Sequence, residues 1–111
     1  LEIPAGGLEA DEPTELAAIR ELEEETGYKA ERKNVKKLIS VYTAVAFCNE
    51  IIDIYVADKL IRTCQNLDDE ESINVEIYTL DEIKRMIFDE TIRDSKTVSA
   101  MMAYSDMISR I

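Results

Sequence analysis

The sequence of 111 residues has no histidine and is short of basic residues, since 13 Lys and Arg stand against 24 Asp and Glu and give a net charge of −11. Proteins that hold a nucleic-acid backbone do so with clusters of Lys and Arg that neutralise its phosphates. The composition therefore argues against nucleic acid as a partner. A small anionic ligand remains compatible with it, provided that a cation bridges the ligand to the protein.

Long hydrophobic runs and regularly spaced cysteines are also missing. No stretch approaches the roughly 20 apolar residues of a membrane span, and the first residues do not resemble a signal peptide. Cys48 and Cys64 lack the spacing of metal ligands. We therefore expect two reduced cysteines that serve packing, a cytoplasmic protein and no membrane partner.

The sequence does contain a segment, residues 6–28, that combines a helix with many carboxylates: GGLEADEPTELAAIRELEEETGY. Pro13 suits the first turn of a helix, and Gly27 suits the position just past a helix end. A helix is therefore predicted between them. Its expected packing face carries Leu16, Ile19 and Leu22.

Three glutamates of this helix, Glu21, Glu24 and Glu25, are expected on its other face, because i, i+3 and i+4 positions are neighbours. Like charges at this spacing destabilise an isolated helix by a few tenths of a kcal/mol per pair, roughly. A hard divalent cation such as Mg²⁺ or Mn²⁺ would reverse the sign of that interaction. The alternative is an ordinary solvated amphipathic helix, in which Arg20 forms an ion pair with Glu24.

The segment also satisfies every fixed position of the pattern G-x5-E-x7-R-E-U-x-E-E-x-G-U, where U is bulky and apolar or aromatic. It resembles the Nudix box of the Nudix hydrolases. The resemblance implies that Glu21 and Glu25 are metal ligands for Mg²⁺ or Mn²⁺ and that the carbonyl of Ala5 joins them. It also implies that Glu24 completes the metal site or helps to position or deprotonate the attacking water.

The remaining polar residues of the box have a supporting role in this family. The resemblance implies that Arg20 and Glu12 orient the loop and the glutamates rather than contact the substrate. An ion pair between Arg20 and Glu24 is compatible with that role.

A second acidic cluster, Asp68-Asp69-Glu70-Glu71, falls in a predicted loop. A run of four acids is by default a solvated loop. The position is similar to the loop of ADP-ribose pyrophosphatases that supplies a catalytic glutamate from outside the box. Glu71 is the first candidate for this base, and Glu70 and Asp69 remain open beside it.

The rest of the chain predicts strands followed by helices. Strands are expected from Leu38 toward Phe47, over Ile51–Ala57 after a turn at Asn49-Glu50, and over Asn74–Tyr78. A short helix is expected over Asp81–Phe88, and a last helix follows a cap at Asp94 or Ser95. The apolar residues of that last helix, which we expect to pack in the core, are Val98, Met101, Met102, Tyr104, Met107 and Ile108.

These elements predict a mixed α/β fold in a single domain over residues 1–111. The resemblance implies a Nudix-type α/β/α sandwich with a mixed sheet. The chain opens on Leu1-Glu2-Ile3 without a methionine, where the family has further strands upstream. We therefore expect that the N-terminal strands of the sandwich are missing from this chain.

Two further segments, residues 1–6 and 93–97, are similar to ADP-ribose pyrophosphatases, whereas residues 44–47 read Ala-Val-Ala-Phe instead of the subgroup's Ser-Pro-Gly-Phe. The resemblance implies a homodimer that hydrolyses ADP-ribose, or a related nucleoside diphosphate sugar, to a nucleoside monophosphate and a sugar phosphate. Two alternatives stay open. One is a nucleoside triphosphate pyrophosphohydrolase, and the other is a Nudix-like module that binds a nucleotide without cleaving it.

Overall fold

The computed structural model of the protein describes residues 1–44, 46, 50–65 and 73–110. Helices and short strands occur together along the chain, which confirms the mixed α/β class. The helices are α1 (Thr14–Thr26), α2 (Leu80–Phe88) and α3 (Ser95–Ser109). The strands are β1 (Tyr28–Lys29), β2 (Val35–Tyr42), β3 (Ile51–Ala57) and β4 (Ile61–Arg62).

Helix α1 has the bounds that its sequence predicts. It follows Pro13, whose extended backbone (φ −61°, ψ 142°) leads into the first turn. It ends at Gly27, which adopts the left-handed conformation at φ 75° and donates its N–H to the carbonyl of Glu23. A side chain is disfavoured in this conformation, so glycine is the residue that suits the helix end.

Strands β2 and β3 form one two-stranded sheet, as expected for a hairpin. Strand β3 has the predicted bounds, but β2 begins at Val35, so the predicted start at Leu38 is wrong. Lys36 and Lys37 suggested a charged loop. Both are exposed although their side chains point to opposite faces, so this end of β2 is open to solvent on both faces and accommodates charged residues. Strand β2 ends at Tyr42, and the predicted end near Phe47 lies outside the described residues.

The strand predicted over Asn74–Tyr78 is wrong, because the structure has no strand there. Val75 and Ile77 are 41% and 78% exposed. Strand propensity depends on a paired and half-buried setting, which this segment lacks. Strands β1 and β4, which the sequence did not predict, pair antiparallel with Tyr28 opposite Arg62.

Helices α2 and α3 both begin at a side-chain cap, as predicted. The hydroxyl of Thr79 accepts from the N–H of Glu82, whose carboxylate accepts from the N–H of Thr79 in return. This capping box fixes the start of α2. At α3 the cap is Asp94 rather than Ser95, and its carboxylate accepts from the N–H of Thr97.

The apolar residues of α3 pack less deeply than predicted. Its buried residues are Thr97 and Ala100. Met101 and Met107 are half-buried, whereas Met102 and Ile108 are about as exposed as surface residues, at 37% and 38%. The prediction that these residues pack in the core is therefore wrong for Met102 and Ile108.

The chain divides into two compact units that each combine separate stretches of sequence. The first unit comprises Leu1–Ile3, Leu38–Ile54 and Ile77–Ile111. Ile54, Ile92 and Ala100 are buried in it. The N–H of Ile3 donates to the hydroxyl of the buried Thr97 at 3.0 Å, and this hydroxyl in turn donates to the carboxylate of Asp94 at 2.7 Å.

The second unit comprises Pro4–Lys37 and Tyr55–Glu76, and it holds the predicted box. Among its described residues, Ala17 and Ala30 are buried and apolar, and α1 contacts β1 within it. Across the described residues of both units, the helices are too short or too polar to cross a membrane.

Candidate functional site

Arg20 is the central residue of the candidate site, which lies in the second unit. Its Nε and Nη2 donate to the two carboxylate oxygens of Glu12, each at 2.9 Å. This paired geometry is the strongest form of an arginine–carboxylate contact, because two parallel hydrogen bonds are charge-assisted. The contact joins helix α1 to the loop that precedes it.

That loop is itself closed by short-range hydrogen bonds. The N–H of Glu12 donates to the carbonyl of Glu9, and the N–H of Glu9 donates to the carboxylate of Glu12, each at 3.1 Å. Asp11 adopts a left-handed backbone at φ 60° within this turn. Nη2 of Arg20 also donates to the carbonyl of Gly7 at 3.2 Å. The loop is therefore held to the helix through one guanidinium group.

The same guanidinium reaches the glutamates of the helix. Nη1 of Arg20 lies 3.0 Å from a carboxylate oxygen of Glu21 and 3.2 Å from one of Glu24. The ion pair that the sequence predicts between Arg20 and Glu24 is thus present. Hydrogen bonds to Glu12 and then to Glu21 raise the pKa of Arg20 further above its usual range, and its hydrogen bond to Glu12 lowers the pKa of that carboxyl.

Glu25 is held from another direction. Its carboxylate accepts from the backbone N–H of Ala5 at 3.1 Å, which places the start of the box beside the last turn of α1. The next residue, Gly6, passes so close to Glu21 that a Cβ on it would overlap the Glu21 carboxylate. The backbone of Ala5 and Gly6 therefore lies directly against the carboxylates of Glu25 and Glu21.

The donor types of this site suit a hard divalent cation, since Mg²⁺ prefers carboxylate and carbonyl oxygens. The close backbone approach at Gly6 adds to that fit. Among the residues that the structure describes, no group of three or more Asp, Glu or Cys side chains is arranged as a metal site. Arg20 supplies the positive charge beside Glu21 and Glu24 in this arrangement.

Helix α1 packs only partly as its sequence predicts, since Ile19 and Leu22 are half-buried. Leu16 was expected on the packing face but is 37% exposed, while Ala17 is buried. Ala17 lies four residues before Glu21 and seven before Glu24, so it shares their side of the helix. The side chain of Glu21 is accordingly only 17% exposed, and the carboxylate face is partly enclosed.

Several predicted residues lie outside the described part of the chain. They are Asp68 and the base candidates Asp69, Glu70 and Glu71, together with Val45, Phe47, Cys48 and the turn residue Asn49. Cys64 is described, and it is a free and exposed thiol. Its predicted packing role is therefore wrong.

One residue of the site, Gln65, was not predicted from the sequence. The side-chain amide of Gln65 donates to the backbone carbonyl of Glu25 at 2.7 Å and to that of Ile73 at 3.3 Å. A lone glutamine beyond a predicted strand carries no periodicity or spacing that could have indicated these contacts. Gln65 lies at the end of α1 because the nearby Thr63 hydroxyl donates a hydrogen bond to the carbonyl of Gly27.

Comparison with known proteins agrees with the pattern in the sequence. A sequence model of the NUDIX domain matches residues 1–101. The chain is 45% identical over 103 residues to a methanol dehydrogenase activator of Bacillus methanolicus and 38% identical over 103 residues to an ADP-ribose pyrophosphatase of Bacillus subtilis (strain 168). Each alignment covers 91% of this chain and 55% of the relative, so the chain spans about half the length of these relatives.

A third, shorter match concerns a mouse protein. The chain is 68% identical over 31 residues to an ADP-sugar pyrophosphatase of Mus musculus, which covers 28% of this chain and 14% of that protein.

Proposed function

The chain belongs to the Nudix family, and we propose that the protein hydrolyses the diphosphate bridge of a nucleoside diphosphate sugar. ADP-ribose is the preferred candidate substrate, with AMP and ribose 5-phosphate as products. Two pyrophosphatases among the relatives, one acting on ADP-ribose and one on ADP-sugars by their names, support this substrate class. Nudix hydrolases generally use a divalent metal ion, and we propose Mg²⁺ or Mn²⁺ here.

The observation that carries the proposal is the ordered carboxylate face of α1. Arg20 donates to Glu12, Glu21 and Glu24 from one guanidinium, so the loop and two box glutamates share one anchor. A solvated amphipathic helix gains little from such an arrangement, because exposed ion pairs contribute about 0–1 kcal/mol each. A pre-ordered group of carboxylates does serve a reaction on a diphosphate, which requires fixed positions for charge.

We assign the residues of the box as follows. Glu21, Glu24 and Glu25, with the carbonyl of Ala5, would hold the cation. When bound, the cation supplies charge neutralisation at the diphosphate and a more acidic water. Arg20 keeps the glutamates and the loop in register through its hydrogen bonds.

The reaction needs a base for the attacking water. A carboxylate accepts the proton as the water oxygen bonds to one phosphorus, and the bond from that phosphorus to the bridging oxygen breaks. Glu24 is one candidate, because its side chain is 36% exposed beside Arg20 and can meet solvent. Glu71, Glu70 and Asp69 are the others. Loss of turnover in one of the variants Glu71→Gln, Glu70→Gln and Asp69→Asn would place the base in that loop, and full activity of all three would leave Glu24.

An activity screen tests the proposal. The full-length protein is assayed with Mg²⁺ against ADP-ribose, other nucleoside diphosphate sugars and dNTPs, beside Glu25→Gln and the matched variant Glu23→Gln. Glu23 lies on the same helix but outside the fixed positions of the box. We expect Glu25→Gln to lower kcat by about 10²-fold or more and Glu23→Gln to leave it unchanged.

The outcomes separate the candidate functions. Turnover of dNTPs in preference to sugars would replace the substrate class with nucleoside triphosphates. Absence of turnover with every substrate would refute the enzyme and favour a regulatory module, which the name of the Bacillus methanolicus activator supports as a second candidate. Equal activity of Glu25→Gln and the wild type would refute the role of Glu25.

The proposal also covers the localisation, oligomeric state and partners of the protein. We propose a cytoplasmic homodimer that binds its small nucleotide substrate and neither nucleic acid nor membranes. The net charge of −11 supports the exclusion of nucleic acid, since phosphates repel such a surface.

A further inference from the structure

The last turn of helix α1 leaves backbone carbonyls that need partners from outside the helix. The final four carbonyls of any α-helix have no intrahelical N–H to accept from. At this end, the carbonyl of Glu23 accepts from the N–H of Gly27 at 2.9 Å. The carbonyl of Glu25 accepts from the side-chain amide of Gln65 at 2.7 Å, which comes from 40 residues further along the chain. Gln65 thus acts as a tertiary cap.

The backbone around Gln65 is fixed against the same helix end. The hydroxyl of Thr63 donates to the carbonyl of Gly27 at 3.0 Å, and β4 pairs with β1 directly before it. A Cβ at Gly27 would lie 3.2 Å from the backbone N of Gln65, so the two segments touch without a side chain between them. The amide of Gln65 is therefore delivered to Glu25 by backbone that is itself anchored.

The same amide group reaches a second carbonyl. Its nitrogen lies 3.3 Å from the carbonyl oxygen of Ile73, and an NH₂ group has two hydrogens to donate. The amide is thereby held between Glu25 and Ile73. Two acceptors restrict the rotation of the amide more than a single acceptor would.

Glu25 is held through both its backbone and its side chain. Gln65 fixes the carbonyl, and the N–H of Ala5 donates to the carboxylate at 3.1 Å. We propose that Gln65 is a positioning residue that sets the place of the Glu25 carboxylate by fixing the last turn of α1. This inference rests on the proposed function, in which Glu25 binds the cation.

The experiment compares three forms of the full-length protein: wild type, Gln65→Met and Thr79→Ala. Methionine matches glutamine in length and carries no charge, but it cannot donate a hydrogen bond. Thr79→Ala is the matched control, because it removes a helix cap of α2, which belongs to the first unit. For each form, two quantities are measured: the apparent Kd for Mg²⁺, from the dependence of Tm on Mg²⁺ concentration, and the Mg²⁺ concentration at half-maximal rate of ADP-ribose hydrolysis.

We expect Gln65→Met to raise both the apparent Kd for Mg²⁺ and the Mg²⁺ concentration at half-maximal rate about five-fold or more, since loss of a partner that orients a metal ligand commonly weakens metal affinity by about 10- to 100-fold. Thr79→Ala should lower Tm in the absence of Mg²⁺ and leave both the apparent Kd for Mg²⁺ and the Mg²⁺ concentration at half-maximal rate unchanged. KM for ADP-ribose at saturating Mg²⁺ should change little in either variant.

Three results would overturn the inference. Gln65→Met could lower Tm as Thr79→Ala does and need no additional Mg²⁺, which is the behaviour of a purely structural cap. It could also match the wild type in every measurement. A wild type whose Tm does not respond to Mg²⁺ would overturn it as well. A protein without turnover, but with a Mg²⁺-dependent Tm that Gln65→Met weakens, would refute the proposed reaction and retain the role of Gln65.

Discussion

Substituting Gly6 by alanine tests whether the position of the Glu21 carboxylate matters. The added Cβ would lie 2.5 Å from Oε2 of Glu21 and closer still to the other two carboxyl atoms. Real Cβ atoms keep at least 3.0 Å from such neighbours, and ordinary contact begins at 3.4 Å. The carboxylate must therefore retreat by about 1 Å, because the rest of the residue is part of helix α1.

That displacement should lower the reaction rate. A misplacement of about 1 Å at a reacting site can reduce the rate by about 10²-fold. The Glu21 carboxylate also accepts from Arg20 at 3.0 Å, and a retreat of this size would lengthen that contact beyond hydrogen-bonding distance or turn it away. We expect Gly6→Ala to lower kcat for ADP-ribose by about 10²-fold and to raise the Mg²⁺ concentration at half-maximal rate.

Gly7 offers the matched control in the same loop. A Cβ at Gly7 would have no other atom within 4 Å, so Gly7→Ala should retain wild-type kcat and Mg²⁺ dependence. Steady-state kinetics over a range of Mg²⁺ concentrations measures both quantities, and circular dichroism confirms folding. Equal kinetics of the two variants, both folded, would refute the reasoning from the close approach at Gly6.

Three further predictions concern stability. Gly27→Ala should lower the free energy of unfolding by about 1–2 kcal/mol in urea denaturation, because Gly27 has φ 75°; an unchanged midpoint would contradict this. The hydrogen bond from Arg20 lowers the pKa of Glu12 from 4.5, so its stabilisation is present above pH 4.5 and is lost as the pH falls through the lowered pKa. Glu12→Gln should therefore flatten the fall of Tm below pH 4.5, and parallel curves would argue against it. Asp94→Ala should lower stability by about 1 kcal/mol through the lost cap of α3, whereas Asp106→Ala in the same helix should have little effect.

Local signals in the sequence predicted the helices well. Pro13 and Gly27 bracket α1, the Thr79 and Glu82 pair starts α2, and Asp94 starts α3. Each of these signals acts within a few residues of the chain, through a fixed φ or a short hydrogen bond. They are therefore readable without knowledge of the tertiary structure.

Burial and strand pairing could not be predicted in the same way. Leu16 is exposed and Ala17 is buried because tertiary contacts, rather than apolar periodicity alone, select the enclosed face. The segment over Asn74–Tyr78 has strand-forming residues but pairs with no strand in the described part of the chain, while the two-residue strand β1 pairs with β4. Pairing between distant segments leaves no local trace in the sequence.

The same difference between local signals and distant contacts applies to the candidate site. The pattern of the box indicated Glu21, Glu24 and Glu25 together with the ion pair at Arg20. It did not indicate the contact of Gln65 with Glu25, because a side chain that reaches across 40 residues follows no periodicity. The sequence thus indicated the residues of the site more fully than the contacts that fix them.

The hydrogen bond between Ile3 and Thr97 has a consequence for synthesis of the protein. The two residues are 94 positions apart, and a ribosome adds about 5–20 residues per second. Ile3 therefore waits for roughly 5–19 seconds before its partner has been made. The second unit, whose sequence ends at Glu76, is fully synthesised before the first unit can close around Thr97. During that interval Ile3 lacks the hydroxyl partner that the completed first unit provides.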